Sequence, residues 1–190
     1  FKNLLKQLDY PLAAPSANIT TKVSAVKVND VKEEFGNKIK YILDGGACAI
    51  GIESTIISLI GKPTILRFGG LDISKIQKTL GFKLKIAINP RKKIAPGQSL
   101  LHYSPGIPLR MNVVKPKNNE AFIMVKKRKM VLKNYFYLTT KNNLDEAAKN
   151  LYSCLRKIKN KRYKSIAVEK ISNKGLGKAI NDRLQRASRY

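Results

Sequence analysis

The chain has no tryptophan, one histidine, two cysteines and only twelve acidic residues against thirty-eight lysines and arginines. Each scarcity excludes something. Cys48 and Cys154 are far apart and neither sits in a C-x-x-C pair, so no disulfide framework is written here. With His102 the only histidine, no zinc set can be assembled from this chain alone. Two lone thiols suit a reducing compartment. No apolar run approaches the ~20 residues that a membrane-spanning helix needs. Residues 1–10 carry charges on both sides of a short apolar stretch and do not read as a signal peptide. A cytoplasmic protein without a membrane contact is expected.

The shortage of acid leaves a net charge of +26 in 190 residues. Two readings of that charge stay open. One is a polyanion partner such as RNA, making the chain a basic RNA-binding module. The other is compositional: the excess is mostly lysine, spread over the whole length beside many Asn and Ile, and a lysine-rich face is usually a solvated one. The nearest approach to a cluster is KKRK at residues 126–129. Under the compositional reading, binding to RNA is weak and blind to sequence.

What is present divides into two patterned regions. Residues 1–8 have helical spacing. Pro11 and Pro15 then force extended backbone, so residues 11–18 read as a short strand running into a loop. A helix is predicted over 29–35, ended by Gly36, and a strand over 40–43. Strands over 49–60 and 64–68 are joined by Gly61-Lys62-Pro63 as a hairpin. The first, apolar on both faces around Ile56 and Ile57, reads as central. A helix over 74–80 closes at Gly81. From 89 to 108 periodicity vanishes among prolines and glycines; so long a connection is usually functional. Beyond it, strands over 121–125, 135–139 and 165–168 alternate with helices over about 144–158 and 177–187. Asn142 or Asn143 caps the first of these helices, with Glu146 placed to complete a capping box with Asn143. Cys154 falls on its apolar face. That alternation argues for a small α/β domain with a parallel sheet, able to fold alone.

Four strings carry chemistry: PLAAPSAN at 11–18, GIESTIISL at 51–59, ILRFGG at 65–70 and APGQSLLHYSPG at 95–106. In the first, Ser16 and Asn18 alternate and project to one side of an extended segment. In the second, Ser54 and Thr55 open an apolar strand and must find partners; a backbone bond from Thr55 is one solution, a ligand another. Arg67 ends a strand before two glycines and offers a planar fork for phosphate or carboxylate. His102 and Tyr103 lie in a Pro/Gly-framed stretch that could fold over a ligand, although a lone histidine is more often structural. No P-loop is present. Gly175-Leu176-Gly177 precedes a helix, but Ile180 stands where a dinucleotide fingerprint needs its third glycine.

Taken in this order and spacing, the four strings resemble the threonylcarbamoyl-AMP synthase family in its long form. The resemblance implies the C-terminal part of a YrdC-like α/β twisted-sheet domain over 1–87, a linker or lid over 88–109, and a small Rossmann-like α/β domain over 110–190. It implies synthesis of threonylcarbamoyl-AMP and pyrophosphate from L-threonine, bicarbonate and ATP with Mg²⁺, toward threonylcarbamoyladenosine in tRNA. A tRNA threonylcarbamoyl-transfer complex is implied as a partner. By resemblance Asn18, Val26, Arg67, His102 and Tyr103 contact ATP, and Ser16 and Ser54 contact threonine; no catalytic residue is assigned. The chain departs from the family pattern at Ser24-Ala25-Val26, where Ser-Pro-Thr is usual, and at Phe68, where proline is usual. The family's Lys/Arg motif that grips the phosphates is not among these residues. PLAAPSAN lies late in the family's catalytic domain, so the resemblance implies an N-terminally truncated chain, inactive on its own.

Overall fold

The computed structural model describes residues 1–129 and 132–189. Its first part is held by short elements: α1 (Lys2–Leu5), α2 (Val28–Phe35) with a following 3₁₀ turn, β1 (Ile56–Ser58), β2 (Thr64–Arg67), α3 (Ile73–Leu80) and β3 (Lys85–Ile86). The Asp30 carboxylate reaches back to accept from Val26 N at 2.9 Å and Lys27 N, which fixes the start of α2. Asp72 Oδ1 caps α3 through Ser74 N at 3.0 Å, and Gly81 ends that helix in the left-handed region at φ +76°.

β1 and β2 form the expected antiparallel hairpin, and β3 pairs parallel on the far side of β2. β1 is therefore an edge strand rather than a central one, and its residues are half-buried. Only Ile56–Ser58 of the expected 49–60 strand pairs; Leu59 and Ile60 stand 78% and 93% exposed. Residues 11–18 and 40–43 form no strand. Pro11 and Pro15 lack the donors a ladder needs, and Tyr41 and Leu43 are exposed without a pairing neighbour.

Past residue 108 the chain is regular: β4 (Leu109–Arg110), β5 (Glu120–Lys126), β6 (Tyr135–Thr139), α4 (Leu144–Asn160), β7 (Ser165–Val168) and α5 (Gly177–Ala187). The strands make one parallel sheet in the order β4-β7-β5-β6, so the α/β class with a parallel sheet stands. Ala121, Ile123, Ile166 and Val168 face α4 and α5 in one core, while Phe122, Met124 and Ala167 alternate to the other side. Cys154 is buried in the first of these clusters. Asn143 Oδ1 caps α4 through Asp145 N at 2.7 Å, but Glu146 does not close a capping box. It accepts from Thr139 Oγ1 at 2.5 Å instead, because the end of β6 presents that hydroxyl first.

The main core does not stop at the sheet. Val23, Val26, Ile52 and Tyr103 belong to the same cluster as Leu151, Leu155 and Leu184. Gly51 shows how closely the parts meet: at φ +82°, any Cβ there would overlap the backbone of Lys149 in α4.

Candidate active site

Several segments converge on Arg67 at the end of β2. Its Nε donates to the Ser54 carbonyl at 3.0 Å and its Nη2 to Ser54 Oγ at 3.3 Å. Nη1 donates to the Pro96 carbonyl at 3.3 Å, tying in the long connection. All three acceptors are neutral, and among the described residues no carboxylate pairs with Arg67. Its charge is left for an anion. Tyr103 reaches the same place. A Cβ on Gly97 would stand 2.6 Å from Tyr103 Oη and 3.0 Å from Arg67 Cδ. The His102 ring lies 4.0 Å from that of Tyr103, tilted by 51°.

Gln98 shapes this connection. It is buried; its Oε1 accepts from Ile94 N and Ala95 N, and its Nε2 donates to Leu66 O and Ala87 O at 3.0 and 3.2 Å. One amide thus pins the 94–98 turn across β2. Residues 16–22 join from the other side: Ser104 N donates to Thr21 O at 2.8 Å, and Lys22 and Ser104 form a parallel bridge. Asn18 Nδ2 donates to Ile19 O and Lys22 O. Among the described residues, three buried side-chain atoms lack a hydrogen-bond partner: Asn18 Oδ1, His102 Nδ1 and Tyr103 Oη. All three belong to residues gathered here, and an orphaned buried polar atom is costly unless something fills the role.

Beneath lies a network that the sequence did not announce. Glu53 accepts from Ser24 Oγ at 2.7 Å, from Tyr152 Oη at 2.8 Å and from Arg183 Nη2 at 3.1 Å. Arg183, on α5 and fully buried, also donates to Phe68 O and pairs with Asp182 at 3.1 Å. Its guanidinium stands 5.2 Å from the Tyr103 ring, and Tyr103 stacks on Tyr152 at 5.6 Å. Arg186 bonds Asp182, Ser99 O, Ile88 O and Asn89 Oδ1. Two buried arginines thus meet two carboxylates, so the charge balances inside. On α4, Arg156 donates to Val23 O at 2.6 Å and pairs with Glu34 at 3.1 Å. Nothing in the local pattern around 183 marks it as more than a helix arginine; only the long-range packing does. Glu53, lone carboxylate of its string, was the one available signal.

The electrostatics follow. Burial would push the Glu53 carboxyl up, but the Arg183 guanidinium and the Ser24 and Tyr152 hydroxyls hold it below its ordinary value. Burial pulls His102 down; Glu53 opposes this, while Arg183, Arg186 and Arg67 reinforce it, so the imidazole is neutral at pH 7. Burial raises both the Tyr103 and Tyr152 hydroxyls, which remain protonated donors.

Of the residues singled out from sequence, Ser54, Arg67, His102 and Tyr103 come together, with Asn18 joined through the turn at 21–22. Ser16 is exposed, and its carbonyl accepts from Asn18 N. Val26 sits apart: its side chain is in the core, its N–H donates to Asp30 and its carbonyl accepts from Cys48 N. Thr55 Oγ1 donates to Leu71 O at 2.7 Å, the backbone solution. Gly69 lies where a Cβ would overlap the backbone of residues 53–55, so glycine is what lets the chain leaving β2 pass against Ser54. Among the described residues, no group of three or more His, Cys, Asp or Glu side chains could hold a metal ion. No helix of the described residues is long and apolar enough to cross a membrane.

The family described as "Telomere recombination" matches residues 1–69, and the family described as "Threonylcarbamoyl-AMP synthase, C-terminal domain" matches residues 71–189. The threonylcarbamoyl-AMP synthase of Pyrococcus abyssi is 35% identical over 98% of this chain and 60% of its own length. That of Bacillus subtilis is 28% identical over 97% of this chain and 59% of its own. The crystal structure of P. abyssi Sua5 complexed with L-threonine superposes with a TM-score of 0.84 at 31% identity, covering 97% of this chain and 60% of that one. The chain thus spans about 60% of the length of these two relatives. Matched by its model over residues 71–189, the chain belongs to the threonylcarbamoyl-AMP synthase C-terminal domain family.

Proposed function

We propose that this chain forms part of an L-threonylcarbamoyladenylate synthase, a nucleotidyltransferase. The threonine nitrogen attacks the bicarbonate carbon and water leaves, giving a carbamate. A carbamate oxygen then attacks the α-phosphorus of ATP, and the bond from that phosphorus to pyrophosphate breaks. The task is one of positioning and charge compensation, which needs no protein nucleophile. Arg67 meets phosphate oxygens with its planar fork. Tyr103, with His102 beside it, closes over the nucleotide, and Asn18 supplies amide contacts. Ser54 and Ser16 hold threonine. Val26, whose side chain is in the core, is given no direct contact with ATP. The carboxylates here are committed to arginines and do not fit a metal site, so Mg²⁺ is assigned to no residue and no step runs through it.

The observation that carries this reading is the set of three orphaned buried atoms on Asn18, His102 and Tyr103 beside an arginine without a carboxylate. The L-threonine in the P. abyssi structure supports the threonine half. The division at 87/88 and 109/110, cytoplasmic residence and supply of the adenylate to a tRNA-modifying transferase belong to the same proposal. The test is pyrophosphate release dependent on ATP, threonine and bicarbonate together, with nucleotide binding measured in parallel. Nucleotide binding that is unchanged in both Arg67→Ala and Tyr103→Phe would remove the site from these residues.

A further inference from the structure

On the side of the parallel sheet where β5, β6 and β7 begin lies a cavity of about 980 Å³. Lys115, Lys117, Lys133, Lys161, Arg162 and Lys164 line it, and no Asp or Glu does. Arg128 also reaches it but is paired with Glu169 at 2.7 Å; among the described residues none of the other six is in an ion pair. Glu120, at the head of β5, is turned inward. Its carboxylate takes Arg110 at 2.6 Å and Lys117 N at 2.8 Å, so its charge is used before it reaches the cleft.

The walls are built rather than loose. Tyr163 Oη donates to Lys133 O at 3.2 Å, Asn134 Nδ2 to Glu120 O at 2.9 Å, and Phe122 N to Asn134 O at 2.8 Å. Phe122 and Tyr135 pack edge to face at 5.4 Å. Tyr135 and Tyr163 are half-buried in the lining. Six like charges around one concavity repel each other, and low-dielectric walls focus their field. A ligand with regularly repeated negative charge and flat faces for aromatic contact complements this surface.

We propose that this cleft binds the phosphate backbone of a single-stranded nucleic acid. The inference uses no residue of the nucleotide site and does not rest on the synthase reading. It also separates a focused site from the diffuse lysine excess, which a charge-matched control can resolve. The probe is a labelled oligo-uridine of about a dozen nucleotides, read by anisotropy at about 50 and 200 mM salt. The matching oligo-deoxyuridine tells whether RNA or DNA is preferred. Duplex RNA and poly-glutamate are the competing arms. The variants are Lys133→Glu with Lys164→Glu in the cleft, and Lys75→Glu with Lys78→Glu on α3, which change the net charge equally.

The cleft pair should weaken oligo-uridine binding by about tenfold or more and lower the salt slope by roughly 0.7 per lost phosphate contact, while the α3 pair stays within about twofold. Equal losses in both pairs, no loss in the cleft pair, or duplex or poly-glutamate binding as tightly as the single strand would overturn it. Should the cleft pair fail to fold, Lys133→Gln with Lys164→Gln is read by the same criteria.

Discussion

Glu53 holds together residues from four parts of the chain, and its substitution separates their contributions. Glu53→Gln leaves Arg183 buried without its main partner; the expected cost is about 3–5 kcal/mol in a denaturant or thermal melt. Ser24→Ala removes one hydroxyl bond and should cost about 1 kcal/mol. The sign of the pH effect follows from the lowered Glu53 value. A carboxyl depressed in the folded state stabilises the fold above its ordinary 4.5, and that stability is lost as pH falls through the lower folded value. An acid titration of stability should therefore show a loss beginning below pH 4.5 that is reduced in Glu53→Gln. Arg67 acts differently, because its protein partners are neutral. Arg67→Ala should weaken nucleotide binding by about tenfold or more, as loss of a charged hydrogen bond worth about 1.5–3 kcal/mol implies. Arg67→Lys should not restore it, since an ammonium cannot reproduce the fork. Arg67, His102 and Tyr103 could be singled out from sequence because each sits in a string punctuated by glycine or proline, and the structure brings them together. Arg183 was not, because its role depends on a glutamate 130 residues away.

At the scale of elements, local signals were sufficient where they were self-contained. Asp72 and Gly81 bound α3, and Asn143 starts α4, as the side chains at those positions dictate. Pairing was less legible. The run at 49–60 has strand composition, but pairing requires a neighbour, and only Ile56–Ser58 has one in β2. The connection at 89–108 reads from sequence as a stretch without periodicity; the structure ties it down through Gln98, whose amide meets four backbone groups, and through bonds from Arg67 and Arg186. Gln98→Ala orphans buried backbone atoms at about 1–3 kcal/mol each. Amide hydrogen exchange should quicken across residues 94–104 while α4 and α5 stay protected. Uniform quickening across α4 and α5 would show that the connection is not a separately held element.

At the scale of the whole molecule, the scarce acids organise the interior. Asp30, Glu34, Glu53 and Asp182 hold Arg156, Arg183 and Arg186, and these arginines reach Val23, Phe68, Ile88 and Ser99 from α4 and α5. The second half of the chain therefore braces the first, and the core they share includes Tyr103. Intact protein should melt in one transition, and residues 110–190 alone should melt at a lower temperature than within the chain; two independent transitions would contradict the shared core. The central claim is that ATP and threonine lie over Arg67 beneath the 94–104 connection. Hydrogen exchange with and without ATP, threonine and bicarbonate tests it most directly. The account predicts new protection confined to residues 16–22, 52–55, 67–70 and 94–104. Protection confined to residues 114–119, 133–135 and 161–164, or protection nowhere, would contradict it.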